Sequence, residues 1–468
     1  MGIPLQETLK SLAPEWPEDL LPAIQTENRD SGASIVVLDD DPTGTQTVYD
    51  VPILTDWTIE SLTCEFLAKT PLFYVLTNSR SLTEAAARNL ATEIGMNLKA
   101  AARETGRSFV VISRSDSTLR GHFPAEVDAL ADALGQTKAI RILIPFFLEG
   151  GRYTIDDTHY VKEGPYLLPA HQTPFAQDAA FGYSCSNMAE WVAEKTHGQV
   201  SPDAVVTLSL EDVRTGGPSR IEDKLQTCRE SGVCVANAAS YRDLEVVTLG
   251  LLRAEKRGLR FLYRTAASFV RVRAGLPGRP LLSAKELALP EKSGALLLVG
   301  SYVPRTSEQI SYLKKHTEIK SIEVWVTHLL CERTRAEEIR RVVGLVNETL
   351  GDDSDVMVYT SRDLIAGQNA EKSLAMGNQI SDSLVDIVRR ISVRPRYLLA
   401  KGGITSSDLA TKALGIKRAI VLGQILLGVP VWKMGQETRF PDMPYIVFPG
   451  NVGGHDALVQ IVDKLALC

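Results

Sequence analysis

Three short apolar runs, each stopping in a cluster of polar residues, constrain the fold of the first half of this chain more than any other feature. They are Ile35-Val36-Val37-Leu38, Phe73-Tyr74-Val75-Leu76 and Phe109-Val110-Val111-Ile112. The polar clusters are Asp39-Asp40-Asp41, Thr77-Asn78-Ser79-Arg80 and Ser113-Arg114-Ser115-Asp116-Ser117-Thr118. Helical patterns separate the runs, from Thr83 to Thr105 with Ser81 or Thr83 as N-cap, and from about Pro124 to Leu134. A further run follows at Ile140-Arg141-Ile142-Leu143-Ile144. Near-continuous apolar strands alternating with helices predict a parallel sheet covered on both faces. Ligands of such sheets sit beyond the carboxyl ends of the strands. The three polar clusters would then line one crevice.

The rhythm continues with strands near Val205–Leu208, Val233–Val235 and Phe261–Arg264, and with helices near 219–231 and 241–258. Between Phe146 and Tyr183 it lapses, and the length of that stretch suggests a substrate-covering excursion. Prolines and glycines from Gly275 to Pro290 mark a linker. We expect an α/β chain of two domains, each with a mainly parallel sheet flanked by helices. The boundaries fall at residues 1–275, 276–292 and 293–468. The second domain is expected to carry strands at Ala295–Val299, Val356–Tyr359, Tyr397–Ala400 and near Ile446–Phe448. Its helices are expected near 307–315, 335–350, 369–391 and 456–467.

At 468 residues, two domains is the natural expectation. The net charge of -6 argues against non-specific nucleic-acid binding. No apolar run reaches membrane-spanning length, and the first residues lack the regions of a signal peptide. The six cysteines form no CxxC pair, which points to the cytoplasm rather than to a disulfide scaffold. No membrane partner is expected, and a homodimer is allowed.

Three adjacent carboxylates repel one another unless a ligand, a metal or a cation compensates. Beside Arg80 and Arg114 they suit a polyhydroxy acid: the arginines to grip a carboxylate, the aspartates to accept hydroxyl hydrogen bonds, one of them to act as base. The second half offers three strand-to-loop junctions rich in glycine and hydroxyls: Gly300-Ser301, Lys401 to Ser407, and Gly450 to Gly454. Backbone N–H groups at such junctions can close on a phosphate, and Lys401 offers a point charge. Neither GxxxxGK[ST] nor a convincing GxGxxG is present. An acidic crevice joined to a phosphate crevice fits phosphoryl transfer.

Asp40-Asp41-Pro42-Thr43-Gly44 resembles the DDxTG motif of the four-carbon acid sugar kinase family. Asp116-Ser117-Thr118-Leu119-Arg120-Gly121 is similar to its DSTLRG motif. Gly402-Gly403-Ile404-Thr405-Ser406 resembles its GGxTS motif, and Pro449-Gly450-Asn451-Val452-Gly453 its C-terminal PGNxG loop. The resemblance implies an ATP- and Mg2+-dependent kinase of sugar acids such as threonate, erythronate and 3-oxo-tetronates. The N-terminal domain would take the acid and the C-terminal domain the nucleotide. It implies substrate roles for Asp40, Asp41, Arg80, Arg114, Ser115, Asp116 and Ser117, with Asp116 or Asp41 as the catalytic base. It implies nucleotide roles for Ser301, Gly402, Gly403, Ile404, Thr405 and Gly450, and assigns no metal ligand. Asp39 stands where many members carry Ala, and Ser113-Arg114-Ser115 where many carry Lys-Lys-Ile. With the 146–183 insert, these departures point to a larger or branched acid of the oxo-isoapionate type.

Other readings stay open. The triple Asp would serve a metal-dependent sugar-acid hydrolase or isomerase, and a sugar-acid or nucleotide sensor would need no catalysis. Asp116 also suits an N-cap. Arg120 suits either substrate or an interdomain ion pair, and His122 either the site or a structural role. Arg152 and His159 are placed to shape the acceptor pocket, and His455 to cap its loop. Cys185, Cys234, Cys331, Trp325 and Trp432 read as buried or interfacial residues.

Overall fold

The structure, a computed structural model, describes residues 2–362 and 370–466, with only the backbone of 370–375. The chain divides into two compact units. One comprises residues 1–48 and 56–278, the other residues 49–55 and 279–468. The second unit thus borrows a seven-residue excursion that directly follows the triple-Asp turn.

The first unit is built on seven parallel strands: β1 (Ser34–Asp39), β2 (Leu72–Leu76), β3 (Phe109–Arg114), β4 (Ile140–Ile144), β5 (Val205–Leu208), β6 (Val233–Ala236) and β7 (Phe261–Thr265). Their spatial order is β5-β6-β4-β7-β3-β1-β2. Every residue of β1 and β2 is buried, as expected for strands covered on both faces. The helix Glu84–Thr105 starts at Thr83, whose side chain accepts from the Ala86 N–H. The chain leaves β1 towards β2 but leaves β3 towards the opposite edge. The sheet therefore has its topological switch point between β1 and β3, where a crevice opens beyond the carboxyl ends. Asp39 pairs in register with Arg114 at that point.

The insert is an antiparallel sheet of Arg152–Ile155, Thr158–Glu163 and Tyr166–Pro169, joined at its edge by Ile3–Pro4.

The second unit contains β8 (Leu296–Val299), β9 (Lys320–Val324), β10 (Val356–Thr360), β11 (Leu398–Lys401), β12 (Arg418–Leu426), β13 (Val429–Met434) and β14 (Pro444–Phe448). Five of these run parallel in the order β14-β11-β8-β10-β9. The hairpin β12-β13 adds antiparallel strands beyond β14, and the excursion strand Val51–Leu54 pairs with β12. Connections from β8 and β11 depart to opposite sides, so this unit has its own switch point between them. Helices span Pro304–His316, Glu332–Gly351, Ala370–Arg390 and Ala457–Lys464. The expected helix start at Asn369 and end at Leu467 lie outside the described residues. Trp432 is fully buried, whereas Trp325 is 43% exposed and stacks under Arg341. Cys234 is buried, but Cys185 and Cys331 are only half-buried. Among the described residues no helix is long and apolar enough to cross a membrane.

Candidate functional site

The sequence demanded compensation for three adjacent carboxylates, and the structure supplies it with arginines. The Arg114 Nη1 lies 3.1 Å from Asp39 Oδ1 and 3.5 Å from Asp40 Oδ1. Arg80 reaches Asp41 Oδ2 at 2.6 Å, Asp116 Oδ1 at 3.3 Å and Asp40 Oδ1 at 3.7 Å. The Ser115 hydroxyl donates to Asp40 Oδ2 at 2.8 Å. Arg120 donates through Nε to Asp116 Oδ2 at 2.7 Å, and its Nη1 lies 3.5 Å from Asp178. These Arg120 pairs stay inside the first unit. Arg80 and Arg114, expected to grip a substrate carboxylate, are instead occupied by the protein's own carboxylates.

Two glycines permit this packing. A Cβ at Gly44 would stand 2.0 Å from Asp39 Oδ2, and one at Gly121, where φ is +113°, would stand 2.7 Å from Ser115 Oγ. Asp41 is bound in its own turn by the Thr43 N–H at 2.9 Å and by the Thr43 hydroxyl.

Asp39, Asp41 and Asp116 are not equivalent. Burial drives Asp39 up to about 7 against the pull of Arg114. It is fully buried, and its Oδ2 has no hydrogen-bond partner. Burial also opposes the charge on Asp41 and Asp116. For Asp41, Arg80 and Thr43 outweigh it and hold the carboxyl below its ordinary value. For Asp116, Arg80 and Arg120 do the same to a larger extent. Asp41 and Asp116 are thus carboxylates at neutral pH, whereas Asp39 lies at the edge of protonation.

The sequence reading missed Glu126, in the first turn of the helix Ala125–Leu134. Burial pushes its carboxyl up to about 7, although Ser79 hydrogen-bonds to it. A first-turn acid reads in sequence as a helix-dipole partner, so only the fold reveals that it shares a small cavity with Asp40, Ser79 and Arg114.

The insert braces the Asp116 loop from outside. His159 is buried and its Nε2 lies 2.7 Å from the Ser117 carbonyl. A carbonyl only accepts, so Nε2 carries the proton, and Nδ1 accepts from the Thr154 hydroxyl at 3.0 Å. Burial lowers this imidazole to about 4. The Tyr183 hydroxyl donates to the Thr118 carbonyl at 2.8 Å. His159 is therefore a positioning residue, and Ser117 meets it through its backbone. His122 is 3.1 Å from the Leu82 carbonyl, a structural contact. Asp116 makes no N-cap; its side chain faces Arg80, Arg120 and the Thr118 hydroxyl.

In the second unit the expected nucleotide residues converge at the β8/β11 switch point. The Gly300 and Ser301 N–H groups both donate to the Lys401 carbonyl, at 3.3 and 3.2 Å. The Thr306 hydroxyl lies 3.1 Å from both Ser301 Oγ and the Gly450 carbonyl. A Cβ at Gly300 would stand 2.2 Å from Thr405 Oγ1, and one at Gly450 2.9 Å from Ser301 Oγ. Gly402, with φ at +121°, turns the chain into the helix Gly403–Asp408, and Ile404 lies exposed on it. The glycines thus let the Ser301 and Thr405 hydroxyls pack against backbone at this junction.

Lys401 departs from expectation. It is fully buried, with Nζ 3.0 Å from the Pro449 carbonyl and 3.6 Å from the Phe448 ring centre. Burial, with help from Arg305, lowers its ammonium to about 7. It anchors the Pro449 loop rather than offering a phosphate charge. Arg362, not singled out by the sequence, brackets the junction: it donates to the Ser301 carbonyl at 2.6 Å and to the Ser307 hydroxyl at 2.7 Å. His455 lies exposed, its ring edge-on to Tyr312. Among the described residues no group of three or more His, Cys, Asp or Glu is placed to hold a metal ion.

Comparison with known proteins agrees with this division. A family model described as a sugar-binding N-terminal domain matches residues 35–273, and one described as a nucleotide-binding C-terminal domain matches 296–458. The chain is 28% identical over 377 residues to a D-erythronate kinase of Heliobacterium modesticaldum, covering 75% of this chain and 78% of that one. It is 24% identical over 368 residues to a D-threonate kinase of Salmonella typhimurium, covering 76% and 80%. It is 23% identical over 335 residues to a 3-oxo-tetronate kinase of Brucella melitensis, covering 70% and 72%. Among solved structures, a Haemophilus influenzae protein superposes with a TM-score of 0.61 at 18% identity, over 92% of this chain and all of that one. A Salmonella typhimurium protein superposes with a TM-score of 0.67 at 17% identity, over 91% and 98%. These two likenesses speak for the fold alone. With both domain models matched in order across most of its length, the chain belongs to the four-carbon acid sugar kinase family.

Proposed function

We propose that this protein is a kinase that transfers the γ-phosphoryl group of ATP to a hydroxyl of a short sugar acid. The observation that carries the reading is the pair of switch-point sites. One is walled by Asp40, Asp41 and Asp116 on a guanidinium frame; the other is a glycine junction edged by Ser301, Thr306 and Thr405. The names of the three kinase relatives support the acid as acceptor.

Asp41 and Asp116 are ionised at neutral pH, so their role is to accept and aim the acceptor hydroxyl. Phosphoryl transfer through a loose transition state asks more for alignment than for a strong base. The glycine junction holds the donor phosphates through backbone N–H groups and hydroxyls. Magnesium, when bound, neutralises phosphate charge. The first unit's carboxylates are matched to arginines, so we assign it no protein ligand there and expect it to arrive with the nucleotide. Transfer requires the two sites to meet in the reacting complex, and the insert braced on the Asp116 loop favours an acid larger than a linear tetronate, such as a branched oxo-isoapionate-type compound.

The test is ADP formation with purified protein across tetronates, 3-oxo-tetronates and branched pentonates. Acid-dependent ADP formation, reduced about 100-fold or more in Asp116→Asn, is expected. ADP formation that no acid accelerates would overturn the proposal.

A further inference from the structure

The acidic wall leaves a question of charge: which group meets the carboxylate of a sugar acid? Arg80 is committed to Asp41 and Asp116, and Arg114 to Asp39 and Asp40. Arg120 is committed to Asp116 and Asp178. Each of these three already holds carboxylates of the protein, although Arg114 Nε is also without a hydrogen-bond partner; Arg264, buried at the same wall, donates to the Arg120 carbonyl.

Arg152, the first residue of the insert sheet, differs. One Nη donates to the carbonyl of Gly150 in its own turn. Its Nε is buried and has no hydrogen-bond partner. Among the described residues no carboxylate lies within ion-pair distance of it. Its guanidinium lies over the Phe175 ring at 5.5 Å from the centre, and Arg120 lies over the same ring at 5.2 Å. Asp116 and Asp178 already meet the Arg120 charge, which leaves Arg152 as the cation of this pair without a carboxylate in contact. Burial and Arg120 both pull Arg152 below its ordinary value, while Asp116 and Tyr183 oppose them. The group is therefore a desolvated cation within electrostatic reach of Asp116, with unused donors. Arg152 as a whole is half-buried, and a partly desolvated cation without a carboxylate partner gains from a bound carboxylate.

We propose that Arg152 binds the carboxylate of the sugar acid, with Phe175 as its stacking platform, so that the acid's hydroxyls run towards Asp116 and Asp41. The proposal rests on the sugar-acid reading above and adds the residue that distinguishes an acid from a neutral polyol. It also gives the insert a function: the sheet that braces the Asp116 loop through His159 and Tyr183 carries the carboxylate anchor at its start.

Calorimetric titration separates this inference from catalysis. The probes are D-erythronate and its polyol erythritol, which keeps the four-carbon chain and its configuration but replaces the carboxylate with a hydroxymethyl group. We expect the wild-type protein to bind D-erythronate about 10- to 100-fold more tightly than erythritol. Arg152→Gln should abolish that preference and leave erythritol binding unchanged. Arg152→Lys, which keeps the charge but loses the planar fork, should restore part of it. A wild-type protein that does not prefer D-erythronate over erythritol, or a folded Arg152→Gln protein that keeps the preference, overturns the proposal. If Arg152→Gln does not fold, a folded Arg152→Met protein that keeps the preference overturns it instead. The kinase reading fails separately: a protein that binds acid through Arg152 but forms no ADP loses the kinase reading and keeps the anchor.

Discussion

Replacing Asp39 with Asn isolates the least usual feature of the acidic wall, a carboxyl held at the edge of protonation beside an arginine. Burial raises Asp39 from an ordinary value of 3.8 to about 7. Between those values the folded protein keeps the proton while the unfolded chain releases it. The folded state binds more protons, so this contribution to stability is present at low pH and is lost as pH rises through the window. Each pH unit is worth about 1.4 kcal/mol, so the full loss is about 4 kcal/mol. Asn matches the protonated acid in shape and cannot titrate. Asp39→Asn should therefore gain on the wild type by about 4 kcal/mol between about pH 4 and pH 8. Glu126, raised in the same direction, and Asp41 and Asp116, both lowered, are present in both proteins and largely cancel. The assay is urea unfolding read by hydrogen exchange of peptides spanning β1, which reports the first unit without the second. A difference between the two proteins that stays constant within about 1 kcal/mol across that range would refute the reasoning.

Gly44→Ala places a methyl group 2.0 Å from the Asp39 carboxylate and should cost about 1–3 kcal/mol or more, seen as a lowered Tm. Gly300→Ala meets Thr405 Oγ1 at 2.2 Å; it should weaken binding of a fluorescent ATP analogue about tenfold or more and leave sugar-acid titrations unchanged. His159→Phe leaves the Ser117 carbonyl without its donor and should cost about 1–3 kcal/mol near pH 8. Because the folded imidazole is lowered to about 4, the wild type itself loses stability as pH falls from about 6.5. The cost of His159→Phe should therefore shrink by about 2 kcal/mol near pH 5 in the same unfolding assay.

The parallel strands were legible because burial on both faces writes them as unbroken apolar runs. Their polar ends marked both sites, since a strand covered by helices has nowhere else to place Asp39 to Asp41 or Arg114 to Ser117. Other strands were less visible. The edge strand Lys320–Val324 is short and half-exposed, with Lys, Ser and Glu interrupting it. The hairpin Arg418–Leu426 and Val429–Met434 alternates buried and exposed residues along its first arm, but its glycines read as loop markers. Val51–Leu54 gives no sign that it pairs with β12, because pairing across more than 360 residues leaves no local trace. Within the site, residue types could be read but charge partners could not. Arg80 and Arg114 fit a substrate carboxylate in sequence; only the fold shows them already engaged. Lys401 after a strand resembles a phosphate contact until its ammonium is seen on the Pro449 carbonyl. Glu126 and Arg362 lie in unremarkable local sequence, and only tertiary packing brings them to the sites.

Phosphoryl transfer itself tests the central claim most directly. Purified protein, ATP, magnesium and each acid of the tetronate, 3-oxo-tetronate and branched pentonate panel can be followed by phosphorus NMR. The account predicts loss of the ATP γ-phosphorus signal with growth of a phosphomonoester signal on one of the acids, and none with erythritol. ATP converted to ADP and inorganic phosphate alone, or left intact with every acid, would contradict it.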